Sequence, residues 1–257
     1  MPEPPAEGPR APAMSLVGRL ANVFATPGDI FEEVGAAAPC TANWLTPALL
    51  LIAVSWVAVW VIFAQEPIRH QLTEKMEQAV EKQVEKGHMS QADADRAREV
   101  STKYGTIGIE VSAAVGPVIA AFLSPFWAGL ILWLVGAKVF KGNFPYMKAV
   151  EVAGLTNMIV VLDAVVRSLL IIGLGNLSVS PSLVLLVKDV DPQSTSHALL
   201  AAVNPMTFWL LAARASGLSK LSGASFAKSA LWIFGIWVIL VGVGIGLGAG
   251  MRALGPH

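Results

Sequence analysis

The sequence predicts an all-α integral membrane protein: a five-helix transmembrane bundle with N-terminal interfacial helices and a charged helical hairpin outside the membrane. Of the 257 residues, 54% are hydrophobic and only 14% are charged, whereas a soluble domain carries about 25% charged residues. Apolar segments recur with the length of about 20 residues that a helix needs to cross a hydrocarbon core. One strongly charged segment separates the first two of them.

The chain begins with a segment that we expect to be a disordered tail. Residues 1–14 are rich in proline and alanine and cannot bury enough apolar surface to offset the entropy of ordering. From Ser15 to Ala25, apolar residues recur at helical spacing around Arg19, which predicts a short amphipathic helix.

A second short helix is predicted to begin at Thr26 as its cap, with Pro27 at the first helical position. Both helices fall within residues 15–43 and are too short and too polar to span a membrane. We therefore expect them to lie in the membrane interface, with Ile30, Phe31 and Val34 facing the lipid.

The predicted membrane domain covers residues 44–250 and contains a charged insertion, with a C-terminal tail at 251–257. In the insertion, residues 65–104, apolar residues recur every four positions on an otherwise ionic helix. Gly87 predicts the end of that helix, and Ser90 with Asp93 predicts the cap of a second one, which makes a hairpin. The five spans are predicted at about 45–64, 111–137, 150–174, 198–218 and 226–250.

The second and fourth spans contain prolines, which remove backbone hydrogen bonds. Pro117 and Pro125 predict that the second span is kinked or broken, and Asn204 with Pro205 interrupts the fourth. Transporters build binding sites from broken helices, whose freed carbonyls coordinate ions. The alternative, which we favour, is a kink needed only for packing.

The third span contains two charged residues, Asp163 and Arg167, one turn apart on one helix face. Charges inside a membrane are costly, so we expect these two to pair and to turn towards other helices. The favoured interpretation is a structural clamp between helices. The alternative is a polar pathway, to which Glu110 near a membrane boundary would add one acid.

The last span is rich in glycine. Gly242, Gly246 and Gly250 share one helix face, which favours close packing between helices. The same segment is not a dinucleotide-binding loop, because that fingerprint requires a preceding strand and an acidic partner.

No pattern in the sequence predicts catalysis or a cofactor. The chain has a single cysteine and four scattered histidines, which gives neither a redox pair nor a metal-ligand spacing. Motifs of nucleophilic catalysis such as GxSxG are absent. The equal numbers of basic and acidic residues, 18 each, provide no field for nucleic acid. We therefore expect no enzyme, no metal, no cofactor and no nucleic-acid partner.

Basic residues predict the orientation, because cytoplasmic loops are enriched in lysine and arginine. With the N terminus in the cytoplasm, the outside segments hold only Lys188 and Arg252, apart from the charge-balanced hairpin, which we expect to translocate as a folded unit. The inside segments hold Arg10, Arg19, Lys138, Lys141, Lys148, Arg214, Lys220 and Lys228. This distribution predicts a cytoplasmic N terminus and a C terminus outside.

Several short motifs carry a family resemblance. They are Asn22–Val34, Lys141–Phe144, Asn204–Trp209 with Gly217–Leu218, and Phe226–Ala230. Together they resemble the bacterial branch of the Yip family, membrane proteins named for interaction with Ypt/Rab GTPases, over about residues 15–250. The resemblance implies five helices, a cytoplasmic N terminus, no catalytic residues and, in eukaryotic relatives, roles in vesicle trafficking and membrane shaping. The acidic, proline-containing motifs of Rab contact are absent here, so GTPase binding is not expected.

The sequence therefore predicts a non-enzymatic, Yip-like protein of a bacterial cytoplasmic membrane that organises the membrane or binds other membrane components. The expected partners are membrane lipids, together with other membrane proteins or further copies of this chain. The alternative function is a small transporter or channel subunit that uses the intramembrane polar residues.

Overall fold

The computed structural model describes residues 14–85, 87–100, 105–188, 190–191 and 194–253, and these contain helices and no strand. Residues 1–13 of the predicted tail lie outside the described residues. The helices are α1 (Leu16–Asn22), α2 (Pro27–Ala36), α3 (Ala42–Phe63), α4 (Glu66–Glu85), α5 (Gln91–Val100), α6 (Thr106–Trp133), α7 (Tyr146–Leu174), α8 (Thr195–Ala202), α9 (Pro205–Ser222) and α10 (Phe226–Ala253).

Among the described residues, four helices are long and apolar enough to cross a membrane: α3, α6 with its continuation, α7 and α10. A fifth crossing arises if α8 and α9, which are bent by 52° at their junction, act as one broken span. The prediction of an all-α, multi-span membrane protein is therefore confirmed.

The two proline-containing spans behave differently. The second span is not broken, because α6 continues through Pro117 and Pro125 and ends in a π-helical turn at Leu134–Val139. A proline removes a single N–H donor, and neighbouring bonds and helices in a membrane bundle can sustain the helix. The fourth span is interrupted as expected: Asn204 Oδ1 accepts from the Met206 N–H at 2.8 Å, and Pro205 is the first residue of α9.

Contacts along α7 fix the directions of its neighbours. α3 runs parallel to α7, since Asn43 meets Glu151 near their starts and Ile62 packs with Ile171 near their ends. α6 and α9 run antiparallel to α7. The starts of α3, α7 and α10 therefore lie at one end of the bundle, which we call the platform end. The other end is called the hairpin end.

The hairpin end carries α4 and α5. Gly87 between them adopts a left-handed φ of +70°, and Ser90 Oγ accepts from the Asp93 N–H at 3.1 Å, capping α5. The hairpin rests on the segment after α7, because Lys75 Nζ donates to Ser178 Oγ at 2.9 Å.

At the platform end, α1 and α2 form what we call the platform, residues 16–36. The expectation that Ile30, Phe31 and Val34 face lipid is wrong, since they are at most 1% exposed and belong to a core formed with α7 and α9. Because Gly217 of α9 has no side chain, Phe31 packs closely against it. The apolar face of α2 therefore contacts α7 and α9 instead of lipid. Thr26 forms no side-chain cap, although Pro27 does begin α2.

Candidate functional site

Five polar residues form a connected network where the platform meets the bundle, which we call the ionic network. Arg19 Nη2 of α1 contacts Glu33 Oε1 of α2 at 2.8 Å, and its Nη1 donates to Asn43 Oδ1 at 3.2 Å. Asn43 Nδ2 at the start of α3 donates to Glu151 Oε2 at 2.5 Å. Glu151 Oε1 lies 3.0 Å from Lys148 Nζ, one turn earlier on α7. The network thus joins α1, α2, α3 and α7.

The inner half of this network is deeply buried. Lys148 is 3% exposed and Glu151 is 1% exposed, so their two charges lie outside bulk water. Lys148 Nζ and Glu151 Oε1 have no hydrogen-bond partner in the described part of the chain, and their contact is therefore an attraction of charges. Removing one partner of such a pair leaves a buried charge uncompensated, which is strongly destabilising.

A second polar cluster lies deep between α6, α7 and α9. Arg214 Nη2 donates to Asn157 Oδ1 at 3.1 Å, with a longer contact from Nε to Thr156 Oγ1 at 3.4 Å. Asn157 Nδ2 in turn donates to Ser124 Oγ of α6 at 3.2 Å. No described carboxylate lies within salt-bridge distance of Arg214.

The depth of Arg214 makes it unusual. Asn157, its partner, follows the first residue of α7 by eleven positions, or about 16 Å at the helical rise per residue. Arg214 therefore lies alongside a span, and it is not in a cytoplasmic segment, where the sequence analysis placed it. A charged residue at such a depth is rare and usually functional, so Arg214 is a candidate site residue.

The predicted pair of Asp163 and Arg167 is not formed. Within the described residues neither makes a salt bridge with the other, and Asp163 Oδ1 instead accepts a long contact of 3.5 Å from Asn204 Nδ2. Arg167 is exposed on the outer surface of α7. Asp163 lines a cavity of about 200 Å³ between α7 and α9, together with Thr207 and four apolar residues.

A model of the Yip1 domain matches residues 21–248. The chain belongs to the Yip1-domain family. Searches of curated proteins and of solved structures found no match. In this Yip1-domain protein, the matched region contains both the Arg214 cluster and every member of the ionic network except Arg19.

The other site residues that the sequence predicted lie in separate parts of the Yip1 domain. Glu110 and Arg69 both line a groove at the hairpin end, between α3, α4 and α6. Pro117 and Pro125 lie within α6, whereas Asn204 and Pro205 form the junction of α8 and α9.

The glycines that allow close packing are not those that the sequence indicated. A Cβ at Gly242, Gly246 or Gly250 would meet nothing within 4 Å, so these residues pack against no other helix in the described chain. A Cβ at Gly154 would instead lie 2.3 Å from Trp44 Cα, which shows how closely α3 and α7 approach.

The residues of the ionic network were missed from the sequence for a physical reason. The sequence analysis counted Arg19 and Lys148 only as charges of the cytoplasmic segments, with Arg19 in an interfacial helix. Their burial depends on α1 folding back over α7, which no local pattern reveals. Lys148 and Glu151, three residues apart at the start of a span, were the available signal, since such a pair favours mutual neutralisation.

Proposed function

We propose that this Yip1-domain protein is a non-enzymatic organiser of its membrane, whose platform binds other membrane components. The supporting observation is that the apolar face of the platform is buried in the protein core, so the platform is not a lipid anchor. The exposed residues of α2 include the charged side chains of Asp29 and Glu32. A polar face held on the end of a membrane bundle suits recognition of a protein partner.

The ionic network supports this proposal because it couples the platform to the spans. Glu33 holds Arg19 at one end of the network and also accepts from the Met14 N–H at 3.0 Å. Glu151 holds Asn43 and Lys148 at the other end. A partner on the platform would thereby act on α3 and α7. The proposed location is a bacterial cytoplasmic membrane, with the platform in the cytoplasm and the C terminus outside.

Reconstitution into liposomes tests the proposal, with two readouts on one sample: vesicle size and shape by electron cryomicroscopy, and flux of small solutes. We expect the wild-type chain to change vesicle morphology and to carry no solute. Glu33→Gln, which breaks the network, should weaken that effect. Glu81→Gln is the control, since Glu81 is an exposed acid of α4 at the opposite end of the bundle.

The second candidate function is a small transporter or channel subunit. It is favoured by Asp163 on a cavity beside the broken span and by Arg214, which contacts Asn157 between the helices. If vesicle morphology is unchanged while a solute crosses the membrane, and Asp163→Asn abolishes that flux, the organiser proposal fails and transport replaces it.

A further inference from the structure

A groove of about 560 Å³ lies at the hairpin end, between α3, α4 and α6. Its walls are mainly apolar, and two tryptophans of α3 face it. Trp60 is 75% exposed, so its ring is available to a ligand, and Trp56 Nε1 donates to the Ala114 carbonyl at 2.9 Å, which ties α3 to α6. Tryptophan is enriched where a span meets the polar surface of a membrane.

Two opposite charges lie in this groove. Arg69 Nε donates to the Phe63 carbonyl at 2.8 Å, which fixes its guanidinium over the end of α3. Its terminal nitrogens have no partner among the described residues. Glu110 of α6 also lines the groove and likewise has no described partner. The two charges are not within salt-bridge distance of each other, so they leave space between them for a ligand.

We propose that the groove binds phosphatidylethanolamine from the leaflet at the hairpin end. An acyl chain would lie along Trp56, Trp60 and Val111. The phosphate would accept hydrogen bonds from Arg69, because a guanidinium matches phosphate geometry. The primary ammonium would donate to Glu110.

The pair of charges selects this lipid among phospholipids. Phosphatidylglycerol has no cation for Glu110, and the quaternary ammonium of phosphatidylcholine has no N–H to donate. The site lies at the end of the bundle opposite the platform, and the inference holds whether the chain organises the membrane or transports a solute.

Photo-crosslinking tests the inference. The purified chain in detergent is mixed with a phosphatidylethanolamine that carries a diazirine in one acyl chain, then illuminated and mapped by peptide mass spectrometry. We expect labelling of residues 56–64 and 107–114. Unlabelled phosphatidylethanolamine should compete better than phosphatidylcholine, and both better than phosphatidylglycerol.

Variants separate the two charges. Arg69→Gln and Glu110→Gln should each reduce labelling by about threefold to fivefold, as expected for a partly exposed charge contact. Arg96→Gln and Glu81→Gln, exposed hairpin positions away from the groove, should leave it unchanged. Glu110→Lys should reverse the preference towards phosphatidylglycerol, a gain that misfolding cannot imitate.

Three results would overturn the inference. They are labelling spread evenly over the spans, equal competition by all three lipids, and unchanged preference in both Glu110→Gln and Glu110→Lys.

Discussion

Asn43 Nδ2 lies 2.5 Å from Glu151 Oε2, joining residues 108 positions apart in the chain. Both side chains are 1% exposed. Through this contact the charge of Glu151, shared with Lys148, is connected to Arg19 and thereby to the platform. Stability of the bundle and placement of the platform therefore depend on the same few atoms.

We expect Glu151→Gln to destabilise the protein by about 3 to 5 kcal/mol, because Lys148 is left as an unpaired buried charge. The double variant Lys148→Met with Glu151→Gln should recover most of that loss. The measurement is the fraction of protein surviving as a monodisperse species after heating in detergent, followed by size exclusion. Glu81→Gln on the exposed hairpin serves as control. A double variant less stable than the single one would contradict this expectation.

The surface contact between Glu32 and Lys220 has a titration signature. The hydrogen bond from Lys220 and its charge lower the pKa of Glu32 below its ordinary value of 4.5. The contact therefore stabilises the platform above the unfolded pKa, and that contribution is lost as the pH falls through the folded pKa. Lys220→Gln should raise the pKa of Glu32 towards 4.5, as measured by NMR of a labelled carboxyl carbon. No change in that pKa would mean that the contact does not persist in solution.

Asp163 and Arg167 should contribute independently to stability, because the structure forms no ion pair between them. The effects of Asp163→Ala and Arg167→Ala should then add in the double variant, as they do for residues that do not interact. Thermal unfolding of the three variants, followed by size exclusion, measures this. If each single change proves more damaging than the double change, the two charges form a clamp after all.

Glycine substitutions should distinguish the packed helix face from the open one. Gly154→Ala places a Cβ 2.3 Å from Trp44 Cα, which forces α3 and α7 apart and should cost about 1 to 3 kcal/mol, the usual range for overpacking. Gly246→Ala is the matched control, since nothing lies within 4 Å of its Cβ. Equal heat resistance of the two variants would show that the close approach of α3 and α7 is not maintained.

Reporter fusions test the orientation. Fusions at residue 40 and within residues 138–148 should report the cytoplasm, and fusions in the hairpin or after Gly250 should report the opposite side. The positions within each pair lie at one end of the bundle, so each pair should agree. A cytoplasmic hairpin would reverse the orientation.

The spans of this protein could be predicted from the sequence because hydrophobicity over about 20 residues is a local property that the bilayer selects directly. Local signals also predicted Gly87 at the hairpin turn, the Ser90 cap and the interruption of the fourth span at Asn204 and Pro205. Each depends only on the backbone needs of a few adjacent residues.

The partners of the polar and small residues were decided only by the tertiary structure. The sequence placed Asp163 and Arg167 on one helix face, but Asn204, 41 positions away, contacts Asp163 instead. The sequence predicted that the apolar face of α2 contacts lipid, whereas in the structure α7 and α9 bury that face. Helical periodicity shows which residues share a face, but the opposing surface comes from segments distant in the chain. For that reason Lys148, Glu151 and Arg214 acquire their significance only when α1, α3, α7 and α9 are brought together.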